Sequence, residues 1–221
     1  MIIDSVKCQE RAFFQTLASF SRAHLLWIGV RLELFAALRR PQTAHQLSQD
    51  SRLAPDLLQA WLQAAAAHGL IRMVRERDRA FEVDGVARWM IEQRDSKPWI
   101  ALLEEAVEGC GPLFERLPDL MTADERPEFG SRAEARRAAE FSRLVERQAL
   151  AALDRIPGAA SARRVLDVGC GYGGYLVGLL TRYRDAHGVG IEQDPDVAEI
   201  AARNLRAADL SRRSEIRIGE F

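Results

Sequence analysis

The sequence predicts an α + α/β chain: an N-terminal helical, winged-helix-like domain followed by a Rossmann-like domain that is incomplete at its C-terminal end. Three observations predict it. Apolar residues recur at helical spacing through the first part of the chain, a helix–turn–helix–hairpin pattern follows, and from Arg164 onward the pattern is strand, glycine turn, helix, strand, helix, strand. The expected divisions are residues 1–95, winged-helix-like; 96–157, a helical linking region; and 158–221, a Rossmann-like half-domain.

From Glu10 to Leu38 the apolar positions Phe13, Leu17, Phe20, Leu25, Ile28, Leu32 and Phe35 predict one or two long helices, stopped by Pro41. A short helix is expected from Thr43 and a second from Pro55, capped by Gly69. Strands near Ile71–Val74 and Ala80–Val83 then flank the charged turn Arg75–Arg79. A recognition helix would need Arg, Lys, Asn or Gln toward base edges. This second helix offers Leu57, Leu58, Trp61, Leu62, Ala65 and Ala66, with Gln59 and Gln63 as its main polar groups, so it predicts packing and not nucleic-acid binding.

Further helices are expected from Val86 to Ile156, broken at Gly109–Pro112 and around Pro127–Gly130. The last should carry Phe141, Leu144, Val145, Leu153 and Ile156 on one side. Its charges, Arg132, Arg136, Arg137, Arg143 and Arg147 among Glu134, Glu140 and Glu146, read as a solvated face. The aromatic residues Trp89, Trp99, Phe114 and Phe141 are expected in core packing or along a substrate cavity. The small-residue stretch Pro157–Ala162 marks a boundary.

A formal net charge of −1 gives no global field toward phosphate backbones or anionic lipid. Cys8, Cys110 and Cys170 are odd in number and lack metal-ligand spacing, which fits a reducing compartment and predicts a cytoplasmic protein. The N-terminus has no basic segment leading into an apolar core, and Leu25–Val30 is far shorter than the roughly 20 residues a spanning helix requires. No membrane contact and no metal are expected.

The chemistry lies after the boundary. Arg164–Val168 reads as a buried strand, Gly169-Cys170-Gly171-Tyr172-Gly173-Gly174 as a tight turn, and Leu176, Val177, Leu179 and Leu180 as the apolar face of a helix. Glycine admits the positive φ of the turn and close approach of a ligand to the backbone, and the amides at the helix start offer donors. Gly169, Gly171 and Gly174 also satisfy the dinucleotide fingerprint, so the glycines alone are ambiguous. Asp167 argues against a pyrophosphate, which its carboxylate would repel. It suits S-adenosylmethionine, which has no phosphate and carries an ammonium and a sulfonium cation. The next strand, Gly188–Ile191, ends in Glu192, at the distance from the turn expected of an acid that grips ribose hydroxyls. Asp194-Pro195 opens a helix, and a third strand, Glu215–Ile218, leads into Gly219-Glu220-Phe221.

With these motifs the sequence resembles class I S-adenosylmethionine-dependent methyltransferases, specifically the group in which a winged-helix dimerisation domain precedes the catalytic domain, as in caffeic-acid-type and bacterial natural-product O-methyltransferases. The resemblance implies S-adenosylmethionine as cofactor and places Asp167, Gly169, Cys170 and Gly171 about its methionine part, Glu192 with the adjoining Gln193 at the ribose, and Glu220 and Phe221 beside the adenine. Glu220 stands where the family usually has Asp. The resemblance further implies a small-molecule acceptor, methylated on O, N or C, and a homodimer through the N-terminal helices.

Family members continue past this point, so the chain is expected to be a truncation or a fragment, and no catalytic base is assigned. His24, His45, His68 and His187 do not match the family's base. Two other readings are open: a catalytically incomplete subunit that binds the cofactor or acts as a scaffold, and a winged-helix regulator of DNA. A nicotinamide-linked enzyme is disfavoured by Asp167.

Overall fold

The computed structural model describes residues 2–123, 131–153 and 155–219. Two compact units are present, Met1–Ser96 and Lys97–Phe221. The helical segments from Lys97 onward therefore share a unit with the glycine turn.

The first unit opens with α1 (Ile2–Arg31) and a single turn, α2 (Leu34–Ala37). Then come α3 (Ala44–Ser51), α4 (Pro55–Ala67), the hairpin β1 (Ile71–Arg75) and β2 (Ala80–Val83), and α5 (Gly85–Ile91). The sequence punctuates these elements where physics requires. Thr43 and Gln46 form a reciprocal capping box at the start of α3, and Pro55 takes the first position of α4. Gly69, at φ +67°, lets the Gly69 and Leu70 amides return to the carbonyls of Ala66 and Ala65. Leu34, Phe35, Leu38, Leu58, Leu62, Leu70, Ile71 and Phe81 form the buried core, and the Trp61 indole donates to the Leu25 carbonyl at 3.2 Å, joining α4 to α1. Gln42 bridges to Phe81 beside the hairpin.

In the second unit, α6 (Lys97–Glu104) passes through a widened π turn (Glu105–Gly109) directly into α7 (Cys110–Ala123). The break expected at Gly109–Pro112 is absent. Proline removes one helical hydrogen bond and crowds the carbonyl four residues back, and a widened turn accommodates both without ending the helix. After it come α8 (Arg132–Ser142) and α9 (Glu146–Leu153). The single one-sided helix expected here is therefore interrupted at 143–145. Leu150 is the buried residue of α9, while Val145 and Ile156 are more than half exposed. Nor is α8 simply solvated: Arg137 is only 14% exposed, with Glu105 at 2.7 Å and Glu108 at 3.9 Å. The four aromatic residues are not core residues; Trp89 and Phe114 are exposed, and Trp99 and Phe141 are half-buried.

The last elements are β3 (Arg164–Val168), α10 (Gly174–Arg182), β4 (His187–Glu192), α11 (Pro195–Ala207) and β5 (Ser214–Ile218). The strands form a parallel sheet in the order β3-β4-β5, with Asp167 opposite Gly190 and Glu192 opposite Ile218. Leu176 and Leu180 of α10 and Ala201 and Leu205 of α11 form the core beside the sheet, together with Cys170. Along β3 alternate residues are exposed, leaving Leu166 and Val168 on the other face.

Among the described residues no helix is long and apolar enough to cross a membrane, and no cluster of metal-ligating residues is present.

Candidate functional site

β3 delivers the chain into a turn that only glycine follows easily, with φ of +69° at Gly169, +54° at Gly171 and +74° at Gly173. The turn is fastened from below. The Gly169 and Cys170 amides donate to the Ile191 carbonyl at 2.8 and 3.0 Å, and the Gly173 amide donates to the Cys170 carbonyl. The Gly171 amide donates to Glu192 Oε2 at 2.9 Å, and Glu192 Oε1 accepts from the Asp194 amide at 3.0 Å. The amides of Gly169, Cys170, Gly171 and Gly173 are thus engaged by the protein itself, the first three by the buried end of β4. A phosphate against the Gly169–Gly171 backbone would find those amides taken and would face the Glu192 carboxylate.

Asp194 is 3% exposed and caps α11 through Oδ1, which accepts the amides of Asp196 and Val197. The cap fixes where α11 leaves β4 and so holds Glu192 and Gln193 at the strand end.

Asp167 sits on the inward face of β3. Its Oδ2 is buried with no hydrogen-bond partner, and its pKa is raised to about 6, first by burial and then by the Glu192 carboxylate. Such an oxygen is suited to a cation or a donor. The same two causes, burial and then the carboxylates of Asp167 and Glu192, push the Cys170 thiol up to about 12, so at neutral pH it is a packing group and not a nucleophile.

Over the turn lies α8. A cleft of about 320 Å³ is lined by Ala135, Ala138, Ala139, Phe141 and Ser142 from α8, and by Gly169, Cys170, Gly171, Tyr175, Glu192 and Gln193 from the strand ends and α10. That volume is at the lower end of the roughly 300–1,000 Å³ of small-molecule sites. The roof is close. A Cβ on Gly171 would lie 3.2 Å from the Ala139 methyl, so glycine is favoured here by close contact as well as by φ.

Of the residues singled out in the sequence, Gly169, Cys170, Gly171, Glu192 and Gln193 line this cleft; Asp167 does not line it, but its charge acts on Cys170, which does. Glu220 and Phe221 lie outside the described residues. Phe141, one of the aromatic residues expected in the core or along a cavity, lines this cleft, whereas sequence reasoning missed the small residues of the α8 wall and Tyr175. The available signal was a stripe of small residues, Ala135, Ala138, Ala139 and Ser142, spaced three and four apart on one helix face.

The protein-L-isoaspartate(D-aspartate) O-methyltransferase family matches residues 147–220. The demethylspheroidene O-methyltransferase of Cereibacter sphaeroides is 29% identical over 227 aligned residues, covering 94% of this chain and 57% of that protein. Among solved structures, mitomycin 7-O-methyltransferase superposes with a TM-score of 0.79 at 18% identity, covering 99% of this chain and 68% of that one. An O-methyltransferase family protein from Burkholderia thailandensis gives 0.71 at 18% identity, covering all of this chain and 64% of that one. The chain thus spans somewhat more than half the length of the curated relative. The fold is that of class I S-adenosylmethionine-dependent methyltransferases, and it is to this family that the chain is similar along nearly its whole length.

Proposed function

We propose that this chain supplies the cofactor-binding part of an S-adenosylmethionine-dependent methyltransferase acting on a small molecule. The observation that carries the reading is the buried, unpartnered Asp167 oxygen at the end of β3, before a turn whose Gly169, Cys170 and Gly171 amides are already engaged. This combination disfavours a phosphate ligand and favours a cationic nucleoside.

The residues present fit that cofactor. Asp167 would hold its ammonium group, the Gly169–Gly171 backbone and the α8 alanines would lie against its methionine part, and Glu192 with Gln193 would meet the ribose. Each Glu192 oxygen has a lone pair left after taking its amide. Glu220 and Phe221 would lie toward the adenine. When bound, the cofactor supplies an electrophilic methyl group for direct transfer to O, N or C of the acceptor. The protein's share is alignment and exclusion of water, with Ala135, Ala138 and Phe141 forming a mostly apolar lid. The small-molecule acceptor follows from what the relatives are named for, among them demethylspheroidene and mitomycin.

The first unit, with α3, α4 and the β1–β2 hairpin, fits a winged-helix dimerisation domain. Phe13, Phe14, Leu17 and Phe20 of α1 are all at least half exposed, an apolar face suited to a second copy. A role in DNA binding has little support, since α4 carries no basic residue and spends Leu58, Trp61, Leu62 and Ala65 on the core.

Calorimetric titration with S-adenosylhomocysteine, with NADH in parallel, tests the reading. Saturable binding of the first alone is expected. Binding of NADH alone would replace it with a nicotinamide-linked function.

A further inference from the structure

Tyr172 sits in the middle of the glycine turn, between two glycines that each lie close to a helix. Gly171 is near Ala139 of α8 and Gly173 is near Ala201 of α11, where a Cβ would come within 3.2 and 3.3 Å of the two alanine methyls. The peptide that joins Tyr172 to Gly173 is held at both ends. The Gly173 amide donates to the Cys170 carbonyl at 2.8 Å, and the Tyr172 carbonyl accepts from the Asn204 side-chain amide of α11 at 2.9 Å. Asn204 follows Ala201 by one helical turn, so the same face of α11 packs against the glycine turn and bonds to it.

From this fixed backbone the Tyr172 side chain reaches the other helix. Its phenol donates a hydrogen bond to the Glu140 carboxylate of α8, and the two residues line one hollow with Lys97, Arg136 and Arg137. The phenol is held above its ordinary pKa, by burial first and then by Glu140, so it stays protonated and able to donate at neutral pH. Glu140 stands between Ala139 and Phe141, both of which line the cofactor cleft, while neither Glu140 nor Tyr172 lines it. A second tie between α8 and α11, the Arg136–Asp196 ion pair, has both side chains more than half exposed, and such pairs contribute little.

We infer that Tyr172 is a positioning residue for cofactor binding: braced on α11 by Asn204, it holds α8 against the glycine turn through Glu140 and so fixes the width of the cleft. The inference rests on the reading of the cleft as an S-adenosylmethionine site and adds a residue that acts on it from outside. A side chain that does not line the cleft changes affinity through the wall that it holds. Loss of one such hydrogen bond should weaken binding by about threefold to tenfold.

The test compares the whole chain with Tyr172→Phe, Asn204→Ala and the double variant. Tyr172→Phe removes the phenol hydroxyl and keeps the ring. Each single variant should bind S-adenosylhomocysteine about threefold to tenfold more weakly than the wild type. The double variant should bind about as weakly as the weaker single one, because a brace cut at either end is lost whole. Affinity kept in Tyr172→Phe, with or without a lower Tm, would make the residue merely structural and overturn the inference; additive losses would overturn it too. Amide hydrogen exchange of the ligand-free chain separates the brace from the cofactor reading. Faster exchange across α8 in Tyr172→Phe, beside a wild type that fails to bind S-adenosylhomocysteine, would leave the brace standing and remove the cofactor assignment. Unchanged exchange across α8 would overturn the brace whatever the ligand does.

Discussion

Glu192 and Gly171, twenty-one residues apart, are joined directly, the Gly171 amide donating to Glu192 Oε2 at 2.9 Å. With Oε1 on the Asp194 amide, one buried carboxylate ties the end of β4 both to the glycine turn and to the start of α11. Glu192→Ala strands two amides, so it should lower stability by about 1–3 kcal/mol and weaken S-adenosylhomocysteine binding by tenfold or more, roughly. Glu192→Gln keeps one acceptor and should fall between. Denaturant unfolding and calorimetry on the two variants check the order.

Asp167 predicts a trade of stability against binding. Its pKa is about 6 in the folded protein against an ordinary 3.8, so folding favours the protonated form. Its contribution to stability is fully present below about pH 4 and is lost as pH rises through about 6. Asp167→Asn mimics the protonated state. It should raise the Tm at pH 7.5, change it little at pH 4, and weaken cofactor binding at pH 7.5 with little effect at pH 4. An equal rise at the two pH values would contradict the assignment of the shift. For the wild type, affinity for S-adenosylhomocysteine should fall between pH 7.5 and pH 5.

The α8 wall is tested by filling it. Ala138 lines the cleft but is exposed, so Ala138→Phe should leave the Tm within a few degrees and reduce cofactor affinity at least about tenfold. Unchanged affinity would move the ligand away from α8.

Arg137 anchors that wall to the π turn through Glu105 and Glu108. Removing one partner of a largely buried ion pair leaves charge uncompensated. Arg137→Met should therefore lower unfolding stability by about 1–3 kcal/mol, read by urea denaturation, and Glu105→Gln in the same background should recover part of the loss. No recovery would show that the pair is not coupled.

Much of this was legible before any coordinates. Local signals carried it: Thr43 with Gln46, Pro55, Gly69 and Asp194-Pro195 are caps that act within a few residues, and the glycine turn between apolar runs has few other solutions. Asp167, Gly171 and Glu192 were legible because a fixed spacing on a parallel sheet brings strand ends together. What was not legible is tertiary. That Arg137 is tied to the π turn, that Ala139 lies close to Gly171, and that Glu146 lies against Gly174 all depend on how α8 and α9 return to the turn. Pro112 misled for the opposite reason, since a local helix-breaking signal was absorbed by a wider turn.

The exposed aromatic face of α1 makes the remaining prediction. Phe13 and Phe20 are 61% and 67% exposed. Light scattering should find a dimer for the wild type and a monomer for the double variant Phe13→Glu, Phe20→Glu. A monomeric wild type would remove the proposed interface.

The most direct test of the central claim is the amide spectrum of the ¹⁵N-labelled chain as S-adenosylhomocysteine is added. The account predicts shifts concentrated at Gly169, Cys170, Gly171 and Gln193 and, across the cleft, at Ala138 and Ala139 of α8. Shifts confined to other residues, or none at saturating ligand, would contradict it.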